Sequence, residues 1–290
     1  MIPLNWFVLT EIQGTWIVMK HEKIEIRIPG YEAAGILYTY FLDNSSEMDP
    51  DRKRPLILIC PGGGYKGTSD REAEPVAMRF LAMGYHAAVL RYSTSPSEYP
   101  LALLQLAASV RYFKRHAQEC HVNPERIILM GFSAGGHLAA CLGVFWKRRD
   151  LFRALGAEPE DVRPAGMILG YPVITSGEFA NLPSFRYLLG DRLEEMKAEL
   201  SLELQVTPDT APTFLWHTME DQMVPVENSI MFFMALKKAG VSAELHIYPC
   251  GEHGLSLANE ETSRAANGFG IQKECESWID LAEAWLSKYR

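Results

Sequence analysis

The chain has 290 residues, enough for one large α/β domain or two small ones. Apolar residues make up 48% and charged residues 22%, an ordinary globular balance. The formal net charge of −8 argues against a nucleic-acid partner and leaves no basic face for an anionic membrane.

No run of about twenty apolar residues appears, so no membrane span is expected. The start, MIPLNWFVLTEIQGTWIVMK, lacks a basic n-region and is interrupted by Glu11 and Gln13. It reads as a strand or an early loop, not a signal peptide. TWIVMKHEKIEIRIPG and AAGILYTYFL then read as N-terminal strands within residues 1–55, ending in a turn at DNSSEMDPDRKRP. LILIC (56–60) is a continuous apolar run, as a strand buried on both faces should be, and it ends in PGGGY.

SDREAEPVAMRFLAMG predicts a helix, with Ser69 as N-cap, Glu72 as its capping-box partner and Gly84 as the stop. YHAAVLRY predicts a strand, LALLQLAASVRYFKRHAQEC a helix, RIILM (126–130) a strand and AGGHLAACLGVFW a helix. AGMILGYPVI, APTFLWHT and AELHIYP read as further strands, with helices at VENSIMFFMALKKAG and CESWIDLAEAWLSKY. Strands alternating with helices predict an α/β fold: a mostly parallel sheet, helices on both faces, and a site at the carboxyl ends of the strands. The stretch from about 175 to 210 breaks the alternation and reads as a small lid inserted in a single domain spanning 1–290. The five cysteines, Cys60, Cys120, Cys141, Cys250 and Cys275, show no paired spacing, so reduced thiols in a cytoplasmic protein are expected.

Chemistry concentrates after the strands. Gly131-Phe132-Ser133-Ala134-Gly135 fits G-x-S-x-G between a strand and a helix, the context in which a sharp turn lifts a nucleophilic serine above a sheet. Flanking side chains would clash in such a turn, and the Ala134 N–H would face a developing oxyanion. A serine needs a base. His253, in a glycine frame after the last strand, is the candidate. Of the eight histidines, His217 and His246 fall on strands, His21, His86, His116 and His121 read as surface or helix ends, and His137 lies one helical turn beyond Ser133, more in keeping with packing. Asp221, in the loop before Val224-Pro225, is the candidate acid, with Glu220 as fallback; the order Ser, Asp, His fits. The PGGGY loop supplies Gly63 and Gly64 as candidate oxyanion N–H donors, and without a following Gly-Lys-Ser/Thr it is not a phosphate loop. No metal-ligand spacing is present and no cofactor is expected. Tyr65, Tyr171 and Trp216, near strand ends, are candidates for an aromatic wall against a sugar, with ordinary packing as the other reading.

Together PGGGY, EPVA, GFSAGGHLAA, PTFLWHTMEDQMVPVENS and GEHGLSL resemble the α/β-hydrolase superfamily, in particular the esterase/lipase branch with bacterial acetyl xylan and feruloyl esterases. The resemblance covers roughly residues 55–290. Relatives of the hormone-sensitive-lipase kind often carry His where Pro61 stands and Asp where Phe132 stands; both departures fit the polysaccharide-esterase branch. The resemblance implies a serine esterase with triad Ser133, Asp221 and His253, acting through an acyl-enzyme on a short, acetyl-like ester of a small molecule or oligosaccharide. An amidase or formamidase, a peptidase, and a non-catalytic binding protein on the same scaffold are the alternatives. The oligomeric state is left open.

Overall fold

The computed structural model describes residues 19–288. The expected strand or loop at 1–18 lies outside the described residues. Within them, β1 (Lys23–Ile26), β2 (Gly35–Tyr40), β3 (Arg54–Cys60), β4 (His86–Arg91), β5 (Val122–Phe132), β6 (Gly166–Gly170), β7 (Thr213–Thr218) and β8 (Ala243–Tyr248) form one sheet, ordered β1-β2-β4-β3-β5-β6-β7-β8. β1 and β2 pair antiparallel, β2 and β4 also, and every pairing from β4 to β8 is parallel.

The helices are α1 (Glu74–Ala82), α2 (Leu101–Arg115), α3 (Ser133–Phe145), α4 (Pro159–Val162), α5 (Leu182–Leu189), α6 (Leu193–Met196), α7 (Glu227–Lys238) and α8 (Trp278–Ser287). The period-2 geometry of β3 divides its side chains between two cores. Leu56, Leu58 and Cys60 pack with residues of α2, α3 and α7. Ile57 and Ile59 pack with residues of α1 and α8. A strand buried on both faces cannot alternate apolar with polar residues, which is why this one reads as an unbroken apolar run.

Two local expectations change. The segment from Ser69 is not one helix: a 3₁₀ turn spans Asp70–Glu72, and α1 starts at Glu74 with Pro75 in its first turn. Ser69 makes no side-chain cap, and Glu72 turns inward instead of closing a capping box. His86, expected at the surface, opens β4 fully buried against Phe41, and burial pushes its pKa down to about 3. Gly84 does end the helix region, with φ +88°.

The order of the sheet positions the site. From β3 the chain adds β4 on one side and β5 on the other. The loops leaving β3 and β5 therefore diverge, opening a crevice at their carboxyl ends. Among the described residues no helix is long and apolar enough to cross a membrane.

Candidate active site

β5 runs into α3 through Ser133, which takes φ +53°, a left-handed conformation that L-residues rarely adopt. The glycines make the turn sterically feasible. A Cβ at Gly131 would lie 2.2 Å from the Gly135 carbonyl oxygen, and one at Gly135 would lie 2.0 Å from that of Cys60. Ser133 opens α3, so its hydroxyl stands at a helix N-terminus, and the first-turn amides, Ala134 included, lack intrahelical acceptors. Phe132 is fully buried, its ring 5.6 Å from Tyr171 and 5.9 Å from Trp278.

Residues far apart in sequence converge on this serine. The Ser133 hydroxyl lies 2.8 Å from His253 Nε2, and His253 Nδ1 lies 2.6 Å from Asp221 Oδ2. These contacts define the tautomer: Nδ1–H donates to the carboxylate and Nε2 accepts from the hydroxyl. Glu220 does not touch the imidazole; its Oε2 accepts the Gly251 N–H at 3.1 Å. Asp221 is fixed by its other oxygen, which accepts the Met223 and Val224 N–H groups at 3.0 and 2.9 Å. Burial pushes the Asp221 carboxyl upward, but hydrogen bonds from His217 and His253, with the Val224 amide, outweigh it and hold the group well below the usual carboxylate range. His217 is a contributor the sequence reading missed. Its Nε2 lies 3.3 Å from Asp221 Oδ2 while donating to the Val224 carbonyl at 2.8 Å. The signal was its place four residues before Asp221, at the end of β7.

The loop after β3 borders the same crevice. Gly63 has φ +141°, and a Cβ there would lie 2.2 Å from the Gly67 carbonyl oxygen. The N–H groups of Gly63 and Gly64 have no protein acceptor among the described residues, whereas the Gly62 N–H donates to Glu72 Oε2 at 2.7 Å. Glu72 was missed as a site residue, because the local Ser-x-x-Glu pattern reads as a helix start.

Ser133, His253, Gly63 and Gly64 face a cleft of about 850 Å³. The three expected aromatic wall residues do not line it. Tyr65, Tyr171 and Trp216 are 3%, 1% and 0% exposed. Tyr65 and Tyr171 sit at positive φ, 58° and 36°, and point under the site instead of into the cleft. Tyr65 donates to His137 Nδ1 at 2.9 Å, and Trp216 stacks on Trp278 at 5.1 Å. The cleft's aromatic side chains besides His253 are Tyr187, from α5, and Phe269, whose ring centroid lies 5.1 and 4.9 Å from the guanidinium groups of Arg71 and Arg264. His137 is fully buried and bridges Tyr65 to the Leu200 carbonyl, its pKa lowered by burial to about 4. It ties the 175–210 segment to α3.

A hydroxyl bonded to an imidazole, an imidazole bonded to a buried carboxylate, and free amides from two loops form an arrangement able to carry out acyl transfer.

The family described as BD-FAE matches residues 42–236. Endo-1,4-beta-xylanase B from Butyrivibrio fibrisolvens is 38% identical over 218 residues, which are 73% of this chain but only 34% of that protein. An acetyl ester-xyloside bifunctional hydrolase from Caldicellulosiruptor lactoaceticus superposes with a TM-score of 0.80 at 35% identity, covering 94% of this chain and 97% of the other. A carboxylesterase from Lactobacillus plantarum WCFS1 gives 0.82 at 31%, covering 93% and 98%.

Proposed function

The chain belongs to the BD-FAE family of α/β-hydrolase esterases, and from that premise we propose that it is a serine carboxylesterase that removes short acyl groups, acetyl above all, from sugar or xylan-derived substrates. The observation that carries the reading is the unbroken hydrogen-bonded line from Ser133 through His253 to Asp221, at 2.8 and 2.6 Å.

In the reaction His253 Nε2 takes the Ser133 proton as Oγ attacks the ester carbonyl. The developing oxyanion meets the Ala134 N–H and those of Gly63 and Gly64. Asp221, kept ionised, holds the imidazole and stabilises the imidazolium that forms. His253 then protonates the leaving alcohol, and in the second half activates the water that releases the acid. No step calls for a metal or cofactor.

Two features support a short acyl group on a larger alcohol. Beside Gly64, where Ser184 Oγ would lie 3.6 Å from a Cβ, the packing of Tyr65, Val173, Ser184 and Phe185 leaves no tunnel for a long acyl chain. The cleft outside is wide, and its walls mix the polar side chains of Lys66, Asn181, Glu220 and Gln222 with the rings of Tyr187 and Phe269, a combination suited to a glycan. The similarity to the acetyl ester-xyloside bifunctional hydrolase points the same way.

Ser133→Ala should fold normally, lose labelling by a fluorophosphonate probe, and lose acetate release from acetylated xylo-oligosaccharides by at least about 10⁴-fold. Wild-type turnover by this variant would refute the serine mechanism. Absence of acetate release from any acetylated sugar by a labelled, folded wild-type protein would refute the substrate class.

A further inference from the structure

Glu72 is a buried carboxylate that this chemistry leaves unused. It is 4% exposed yet borders the cleft, and its two oxygens serve different loops. Oε2 accepts the Gly62 N–H at 2.7 Å, and Oε1 accepts the Tyr171 hydroxyl at 2.7 Å. The Tyr171 hydroxyl in turn accepts the Ser256 N–H at 2.9 Å, and its ring stands edge-on to His253 at 5.0 Å. The segments that follow β3, β6 and β8 thus meet at one carboxylate. We propose that Glu72 is a positioning residue that fixes the oxyanion loop against the His253 loop. The proposal rests on the serine-esterase reading above.

The argument is steric and electrostatic. Burying a carboxylate is costly unless hydrogen bonds compensate, and a simple brace needs no charge. What a carboxylate adds is two acceptors that make short, strong bonds in two directions. Gly62 leaves no slack around it: a Cβ there would lie 2.7 Å from Glu72 Oε2, 2.8 Å from the Phe132 carbonyl oxygen and 2.9 Å from Ser133 Cβ. Gly62 is therefore wedged between Glu72 and the serine turn. With its N–H anchored, the next two amides, of Gly63 and Gly64, are left to face the cleft. With the anchor lost, the Gly62 N–H has no acceptor and the two amides lose the bond that sets their direction toward the oxyanion.

The test uses the full chain and the near-isosteric variant Glu72→Gln, which offers one acceptor where two are needed. Tyr171→Phe is the second variant; it keeps the ring on His253 and breaks only the Glu72-to-Ser256 relay. With p-nitrophenyl acetate, kcat of Glu72→Gln should fall on the order of 10- to 100-fold with little change in KM, less than outright loss of an oxyanion donor. The inhibition constant of a trifluoromethyl ketone, which forms an oxyanion on Ser133, should rise by the same factor as kcat/KM falls. Tyr171→Phe should show the same pattern at several-fold. Unchanged kcat and inhibition constants, with only a lower melting temperature, would reduce Glu72 to a structural brace and overturn the proposal. Ser133→Ala, run alongside, separates the two readings: if it turns over at the wild-type rate, the serine mechanism has failed, whatever Glu72 does.

Discussion

The two ends of the sheet are built differently. At the carboxyl ends, Tyr65 after β3, Ser133 after β5, Tyr171 after β6, and Ser256 and Ala258 after β8 all take positive φ. At the amino ends, among the described non-glycine residues, only His121 does so, just before β5. Strained backbone persists only where the surroundings over-determine it. The surroundings do so here: Glu72, Tyr171 and Asp221 are buried polar groups that together bind three segments, those carrying Gly62, Val224, and His253 with Ser256. One end of the molecule is organised for packing, and the other places amides, an imidazole and a hydroxyl against local backbone preference.

The sharpest way to break that contrast is to remove a charge from the strained end without removing its shape. Asp221→Asn keeps an oxygen for the Met223 and Val224 amides but presents the wrong group to His253. kcat should fall on the order of 10⁴-fold. The stability effect has a defined pH window. Asp221 is held below its unfolded value, so its contribution is full above about pH 4 and is lost as pH falls through the folded value. The melting-temperature gap between wild type and Asp221→Asn should be constant from neutral pH down to about pH 5 and narrow below about pH 4. A gap that widens on acidification would show that the carboxylate is not held ionised.

A second comparison sets one glycine against another. Gly135, at the strained end, has no space for a methyl: the Cys60 carbonyl oxygen would be 2.0 Å away and that of Pro61 2.5 Å. Gly156, on the way to the amino end of β6, has φ +55° and open space around the position of a Cβ. Gly135→Ala should cost about 4 kcal/mol or more, because backbone has to move on both sides. Gly156→Ala should cost about 1 kcal/mol, the conformational penalty alone. Urea denaturation of the two variants measures the difference, and equal losses would mean that the serine turn can relax.

What the sequence made legible follows the same division. The sheet, its helices and the serine turn could be read because each answers to a local rule: buried strands are apolar throughout, and a left-handed turn in close contact needs glycine. Ser133, Asp221 and His253 were readable as candidates because each follows a strand in the order the chemistry needs. Glu72 was misread because its partners are 10 and 99 residues away, while Ser69, three residues before it, completes a false capping box. Tyr65, Tyr171 and Trp216 could be read as a wall or as packing because proximity to a strand end does not give side-chain direction; all three are buried, and the two tyrosines, at positive φ, lie beneath the cleft. Tyr187 and Phe269 escaped notice because they sit on a short helix and a late loop with no periodic signal.

The smallest effect tests where the strained end meets its cover. Ser184 lies in the first turn of α5, capped by Asn181, whose side chain accepts both the Ser184 N–H at 3.1 Å and its hydroxyl at 2.8 Å. Its Oγ would lie 3.6 Å from a Cβ on Gly64, so it forms the wall beside the candidate oxyanion amides. Ser184→Gly keeps the backbone bond to Asn181 and removes the two heavy atoms of that wall. A methylene that fits or fails to fit a pocket is worth about 1–3 kcal/mol, and a partly relaxed wall delivers less than that. The ratio of kcat/KM for p-nitrophenyl butyrate over acetate should therefore rise by about 3- to 10-fold, less than one full methylene at the upper end of that range would give. The gain should come from butyrate and not from a loss of acetate. An unchanged ratio would mean that the acyl group lies away from α5. A wild-type preference for octanoate over acetate would do more, because it would remove the short-acyl reading altogether.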